Sequence, residues 1–147
     1  MKFNRIVIAC LAISCLTCCK KSNGIIDNVP VNLLLYLNQP SYVKLQTPGG
    51  WVYVSGGVKG IIVYNAGGGT FRAYDQSCTY DPNTACSKVW VTNDNITAID
   101  SCCGGDACCK SKYSIADGAP LGGPTVDALV QYRTYLSTDG TQLSIVN

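Results

Sequence analysis

The sequence predicts a small all-β domain, an antiparallel sandwich or barrel of about 7–10 short strands. Three observations carry that expectation. Apolar and aromatic residues recur at the two-residue period of a pleated strand rather than the helical period. The apolar runs are short, and β-branched and aromatic side chains dominate them. Stretches rich in Gly, Pro, Asn and Asp separate them, as tight turns require. At 147 residues, 47% hydrophobic and 14% charged, the chain has the size of one domain and enough apolar side chain to bury a core.

In chain order, the expected strands are Val31 to Leu37, Trp51 to Val54, Gly60 to Tyr64, Thr70 to Tyr74, Lys88 to Val91, Ile96 to Ile99 and Leu143 to Val146. A short helical turn is expected within Tyr36 to Tyr42. Pro48-Gly49-Gly50, Gly56-Gly57, Gly67-Gly68-Gly69, Asn93-Asp94-Asn95 and Asp139-Gly140 supply the turns, through positive φ or side-chain bonds to the backbone. Gly67-Gly68-Gly69 reads as a hairpin turn. A phosphate loop would need a fixed glycine spacing and a following helix, and no helix can be read after it.

The N-terminal segment has a different character. Lys2 and Arg5 precede the apolar run Ile6 to Leu16, which is too short for a spanning helix of about 20 residues and has the order of an export signal. Its end, Leu16-Thr17-Cys18-Cys19, resembles the lipobox of bacterial lipoproteins. The resemblance implies cleavage after residue 18 and lipidation of Cys19, with 19–28 as a tether and 29–147 as the folded domain. Cys18 is the second choice of acceptor, cleavage before Cys10 would leave too short an apolar segment, and a plain signal without lipid is the alternative. The expected location is the bacterial cell envelope, with the membrane reached through the N-terminal lipid.

Charge narrows the partners. The 11 basic and 9 acidic residues include no basic run beyond Lys20-Lys21, so nucleic acid is not expected as a partner and a protein partner is left unspecified. Export also fixes the redox setting. With Cys10, Cys15 and Cys18 removed and Cys19 acylated, six cysteines stay in the domain: Cys78, Cys86, Cys102, Cys103, Cys108 and Cys109. An even number of thiols in an oxidising compartment favours disulfides.

The order Gly60-Ile61-Ile62-Val63-Tyr64, Phe71-Arg72-Ala73-Tyr74-Asp75, Cys78-Thr79-Tyr80, Ser111-Lys112-Tyr113-Ser114, Asp117-Gly118, Gly123-Pro124 and Leu129-Val130-Gln131-Tyr132 resembles the Rieske iron-sulfur domain over roughly residues 50 to 147. In that family one loop reads Cys-x-His. A second reads Cys-x-x-His-Gly-Ser-x-Tyr/Phe and runs into a polar strand. The resemblance implies a Rieske-like fold, with Cys78 at the first cysteine and Tyr80 where the first histidine should stand. In the second loop Lys110 falls at the glycine and Cys109 at the second histidine, while strict counting puts Asp106 at the second cysteine and an insertion would bring Cys103 or Cys102 there. A Rieske 2Fe-2S centre needs two imidazoles. The chain has no histidine, so that centre is excluded.

Three readings of the six cysteines stay open. They can form disulfides that clip the former cluster loops, for example Cys78 to Cys86 and Cys103 to Cys108, or cross-links between the loops, each worth typically about 2–4 kcal/mol. They can hold a 2Fe-2S cluster through four thiolates, with Cys78, Cys86, Cys103 and Cys109 as candidates, at a potential below that of a histidine-ligated centre. They can hold zinc, although the paired C-x₂-C knuckles of a four-thiolate site are missing from the domain. The disulfide reading is preferred, with no cofactor or metal expected.

The remaining candidates are weaker. Cys109 beside Lys110 could be an activated nucleophile, but a solvated lysine is the simpler account. Asp75, Asp81, Asp94 and Asp100 sit at strand ends and turns, where Asp caps the backbone. Tyr42, Tyr53, Tyr64, Tyr74, Trp51 and Trp90 could line a groove or serve as core and cross-strand pairs. Asn95-Ile96-Thr97 fits a glycosylation sequon. The expected function is a non-catalytic envelope lipoprotein with degenerate cluster loops. Alternatives are an electron-transfer module with a cysteine-ligated 2Fe-2S cluster and a thiol-redox or ligand-binding envelope protein.

Overall fold

The computed structural model describes residues 26–101 and 110–147. The signal 1–18, Cys19 and the cysteines Cys102, Cys103, Cys108 and Cys109 lie outside the described residues. The described residues form ten strands and one short helix. The strands are β1 (Asn32–Tyr36), β2 (Trp51–Val54), β3 (Ile61–Gly67), β4 (Thr70–Asp75), β5 (Val89–Val91), β6 (Thr97–Asp100), β7 (Lys112–Ser114), β8 (Pro120–Gly122), β9 (Gln131–Leu136) and β10 (Gln142–Val146). All pairings are antiparallel. The expected all-β, antiparallel class is therefore what forms.

Two sheets share the strands. One has six, in the order β1-β10-β9-β4-β3-β2, and the other has four, in the order β5-β6-β7-β8. The central hairpin explains how they meet. Ile61 and Val63 of β3, with Phe71 and Ala73 of β4, point into a core completed by Val31, Leu35, Leu45, Leu143 and Ile145. Their neighbours in sequence, Ile62 and Tyr74, point to the opposite face. There they pack with Val89, Ala98, Tyr113, Ile115 and Leu129, at the small sheet. A strand buried on both faces loses polar alternation, which is why β3 opens as an unbroken Ile-Ile-Val run.

Several boundaries differ from the sequence expectation. The helical turn expected within Tyr36 to Tyr42 starts there only at Pro40 and runs on as a 3-10 helix over Pro40–Gln46, with proline at its first turn. Proline presets φ for helix entry and has no N–H to satisfy, so it starts the turn that Tyr36, paired with Gln142 in β1, cannot. β9 extends to Leu136, beyond the Leu129–Tyr132 motif. Tyr132 is its one buried residue, so the strand is made by pairing with β4 and β10 rather than by apolar content. β8 contains Pro and Gly, and it is an edge strand, the place where a missing N–H is tolerated.

Candidate functional site

Three loops converge at one end of the small sheet. Val89 at the start of β5 pairs with Asp100 at the end of β6, and Lys112 at the start of β7 pairs with Ile99. Gly122 at the end of β8 pairs with Lys112. Antiparallel register therefore gathers the loop before β5, the loop between β6 and β7 and the loop after β8. The first carries Cys78, Tyr80 and Cys86, and the second carries the other four candidate cysteines. The third begins with Gly123-Pro124.

The first and third loops are tied through two threonines. Cys78 is a fully buried thiol whose Sγ lies 3.3 Å from Tyr113 Oη. The same Oη accepts from Thr79 N at 3.2 Å and lies 3.0 Å from Thr79 Oγ1. Thr79 Oγ1 is in turn 3.0 Å from Thr125 Oγ1, and both hydroxyls reach the Asp127 carbonyl. The third loop is also pressed against the second. A Cβ on Gly123 would stand 2.7 Å from the Lys110 carbonyl oxygen, and Gly123 holds φ +81°, so only glycine fits that approach.

Lys110 has φ +50°, an uncommon value for a residue with a Cβ. Its backbone has the conformation that glycine adopts freely. Ser111 and Tyr113, which follow it, are fully buried. Tyr80 is partly buried and packs against the second core. Cys86 is disulfide-bonded. Its bond is not to Cys78, so the local clip between these two does not form. Cys78 is instead held under Tyr113, inside the second core.

Of the four aspartates expected to cap the backbone, Asp94 and Asp75 accept from backbone N–H groups, while Asp81 and Asp100 accept from hydroxyls. Asp94 Oδ1 accepts from Ile96 N, Thr97 N and Thr92 Oγ1, bonds that hold its carboxyl well below the usual range. Asp81 accepts from Thr84 Oγ1, and Asp100 from Ser87 Oγ. Asp75, fully buried, accepts from Val58 N, Ser77 N, Ser77 Oγ and Tyr132 Oη. The aromatic candidates do not share one groove. Tyr74 is buried, Tyr42 and Tyr64 pack beside the two cores, and Trp51, Tyr53 and Trp90 meet at the surface.

The hydroxyl of Tyr113 was not legible as a site group, although its position at the end of the second-loop motif was. Burial, then its bond to Cys78, pushes its pKa from 10.0 up to about 12. A raised folded-state pKa gives stability that is complete below the unfolded value near 10 and is lost as pH rises towards 12. Tyr113→Phe should cost about 1–2 kcal/mol at neutral pH, because Thr79 N loses its acceptor. Its unfolding free energy should also fall less steeply than the wild type's between pH 10 and about 12, as checked by denaturant titrations across that range. Equal slopes would mean that the hydroxyl is not buried in this network.

No protein-family model matches the chain, and no curated protein matches it. Among solved structures it is similar to one described as an NADH-dependent nitrite reductase small subunit from Mycobacterium tuberculosis, at 13% identity and a TM-score of 0.44, over 82% of this chain and 97% of that one.

Proposed function

We propose that the chain is a non-catalytic lipoprotein domain of the bacterial cell envelope, Rieske-like in its frame, whose loop end is closed by protein contacts instead of a metal cluster. One observation carries this reading. The Cys78 thiol, where the resemblance would put an iron ligand, is fully buried against the Tyr113 hydroxyl in a network that runs on to Thr79 and Thr125.

The donor set supports the same reading. A histidine-ligated 2Fe-2S centre does not fit, because the chain has no histidine and Tyr80 offers a phenol, packed on the core, in place of the first imidazole. A four-thiolate cluster using Cys86 does not fit either while that sulfur is committed to a disulfide. With Cys78 buried under Tyr113 and Cys86 in a disulfide, the first loop favours a structural or interaction-based role, presented from the membrane by a lipid on Cys19.

Anaerobic expression with iron supply, followed by iron, sulfide and thiol counts, tests the proposal. The expected preparation is colourless and free of stoichiometric iron and sulfide, and Cys78 is alkylated only after denaturation. Stoichiometric iron and sulfide with thiolate-to-iron absorption would establish the electron-transfer alternative in its place. Cys19→Ala should shift the protein from the membrane to the soluble fraction, and unchanged fractionation would remove Cys19 as the lipid site.

A further inference from the structure

The two sheets also meet along a row of surface rings, in which Tyr53 and Trp90 are exposed and Trp51 is half-buried. Lys44 Nζ lies 5.6 Å from the Trp51 ring centroid, Trp51 lies 4.9 Å from Tyr53, Tyr53 lies 5.4 Å from Trp90, and Lys88 Nζ lies 4.7 Å from the Trp90 centroid. The order is cation, three rings, cation. Trp90 is 43% exposed and Tyr53 36%. Both tryptophans of the chain stand in this row.

The polar atoms of two of the rings are held by the protein. Trp51 Nε1 donates to Asn95 Oδ1, and Tyr53 Oη accepts from Val91 N. What Trp51 and Tyr53 leave open is therefore ring carbon, and an ammonium lies over an indole ring at each end of the row. A shallow groove of about 360 Å³ runs along Trp51 and Tyr53 past Lys44, and another of about 440 Å³ runs from Tyr53 to Trp90 past Lys59 and Lys88. Among the described residues, neither lining contains a carboxylate. Asp94, one residue from Asn95, has its charge taken up by its own turn.

We propose that this row binds an acidic glycan, a chain of uronic acid type. Such a chain alternates polarised C–H faces, which pack on the electron-rich faces of aromatic rings, with carboxylates that pair with Lys44 and Lys88. Exposed rings flanked by cations and free of acidic lining match both properties. An acidic peptide supplies the charge on flexible stems but no flat C–H face for three rings. The row reaches the first loop at Lys88, but among the described residues no cysteine lines either groove, so glycan binding is read separately from the iron and thiol counts.

Titration of the chain with oligogalacturonate, read by tryptophan fluorescence, reports on this row alone because no other tryptophan exists. Saturable binding that weakens as salt is raised is the expected result. Lys88→Gln should weaken it about fivefold, the upper range for one exposed ion pair. Trp90→Ala should weaken it about tenfold or more. Lys112→Gln, an exposed lysine on β7, should leave it unchanged. The proposal is overturned by no saturable binding, by equal binding of a neutral oligosaccharide of the same length, by equal binding of polyglutamate, or by indifference to both Lys88→Gln and Trp90→Ala.

Discussion

Asp75→Ala should lower the unfolding free energy by about 3–5 kcal/mol, a large share of a small domain's net stability. The carboxylate is fully buried and accepts four hydrogen bonds. Val58 N comes from the β2–β3 turn, Ser77 N and Oγ from the start of the first loop, and Tyr132 Oη from β9. Removing the acceptor leaves all four donors facing a hole that water fills poorly, and an unmade buried hydrogen bond costs more than a made one gains. Asp75→Asn should recover only part of the loss, since its NH₂ group would oppose donors. Urea midpoints measure both variants, and a midpoint within experimental scatter of the wild type would show that these bonds are not made in solution.

Gly50→Ala should cost about 2–3 kcal/mol by overpacking alone. A Cβ there would fall 1.7 Å from the Lys44 carbonyl oxygen and 2.9 Å from that of Thr47. The obstacle is backbone, with no flexible side chain to swing away. Relief requires the 3-10 helix to move off β2, and Lys44 moves with it. The variant should therefore show both a lower unfolding midpoint and a changed Trp51 emission, as the ammonium leaves the indole face. Loss of stability with unaltered emission would mean that the helix holds its place and the strain is absorbed in the Thr47 turn.

Much of the frame was legible because its signals are local. Gly67-Gly68-Gly69 and Asp139-Gly140 form the turns their composition demands, and the expected strands from Val31 to Val146 all appear within a few residues of their bounds. The missed strands share one cause. β8 and most of β9 carry too little apolar pattern to announce a strand, and neighbouring strands impose their pairing. The same holds at the site. Cys78, Tyr80 and Lys110 were placed by motif order, whereas the Tyr113 hydroxyl, the two threonines and the four-donor environment of Asp75 join residues far apart in sequence. Local spacing carries no record of such contacts. The row from Lys44 to Lys88 is of the same kind, since its rings come from two edge strands of different sheets.

The pairing of β4 with β9 has a further consequence. The chain leaves the large sheet after Asp75 and re-enters it at Gln131, and these two points are already neighbours, with Asp75 N donating to the Val130 carbonyl and Tyr74 opposite Gln131. Everything between, the small sheet and all three loops included, is a cassette spliced between adjacent strands. Its tips can be rewritten without breaking a ladder bond of the six-stranded sheet. A lineage could lose or exchange the chemistry at those tips while inheriting the chassis unchanged, and a host scaffold with two adjacent antiparallel strands could accept the cassette as a graft.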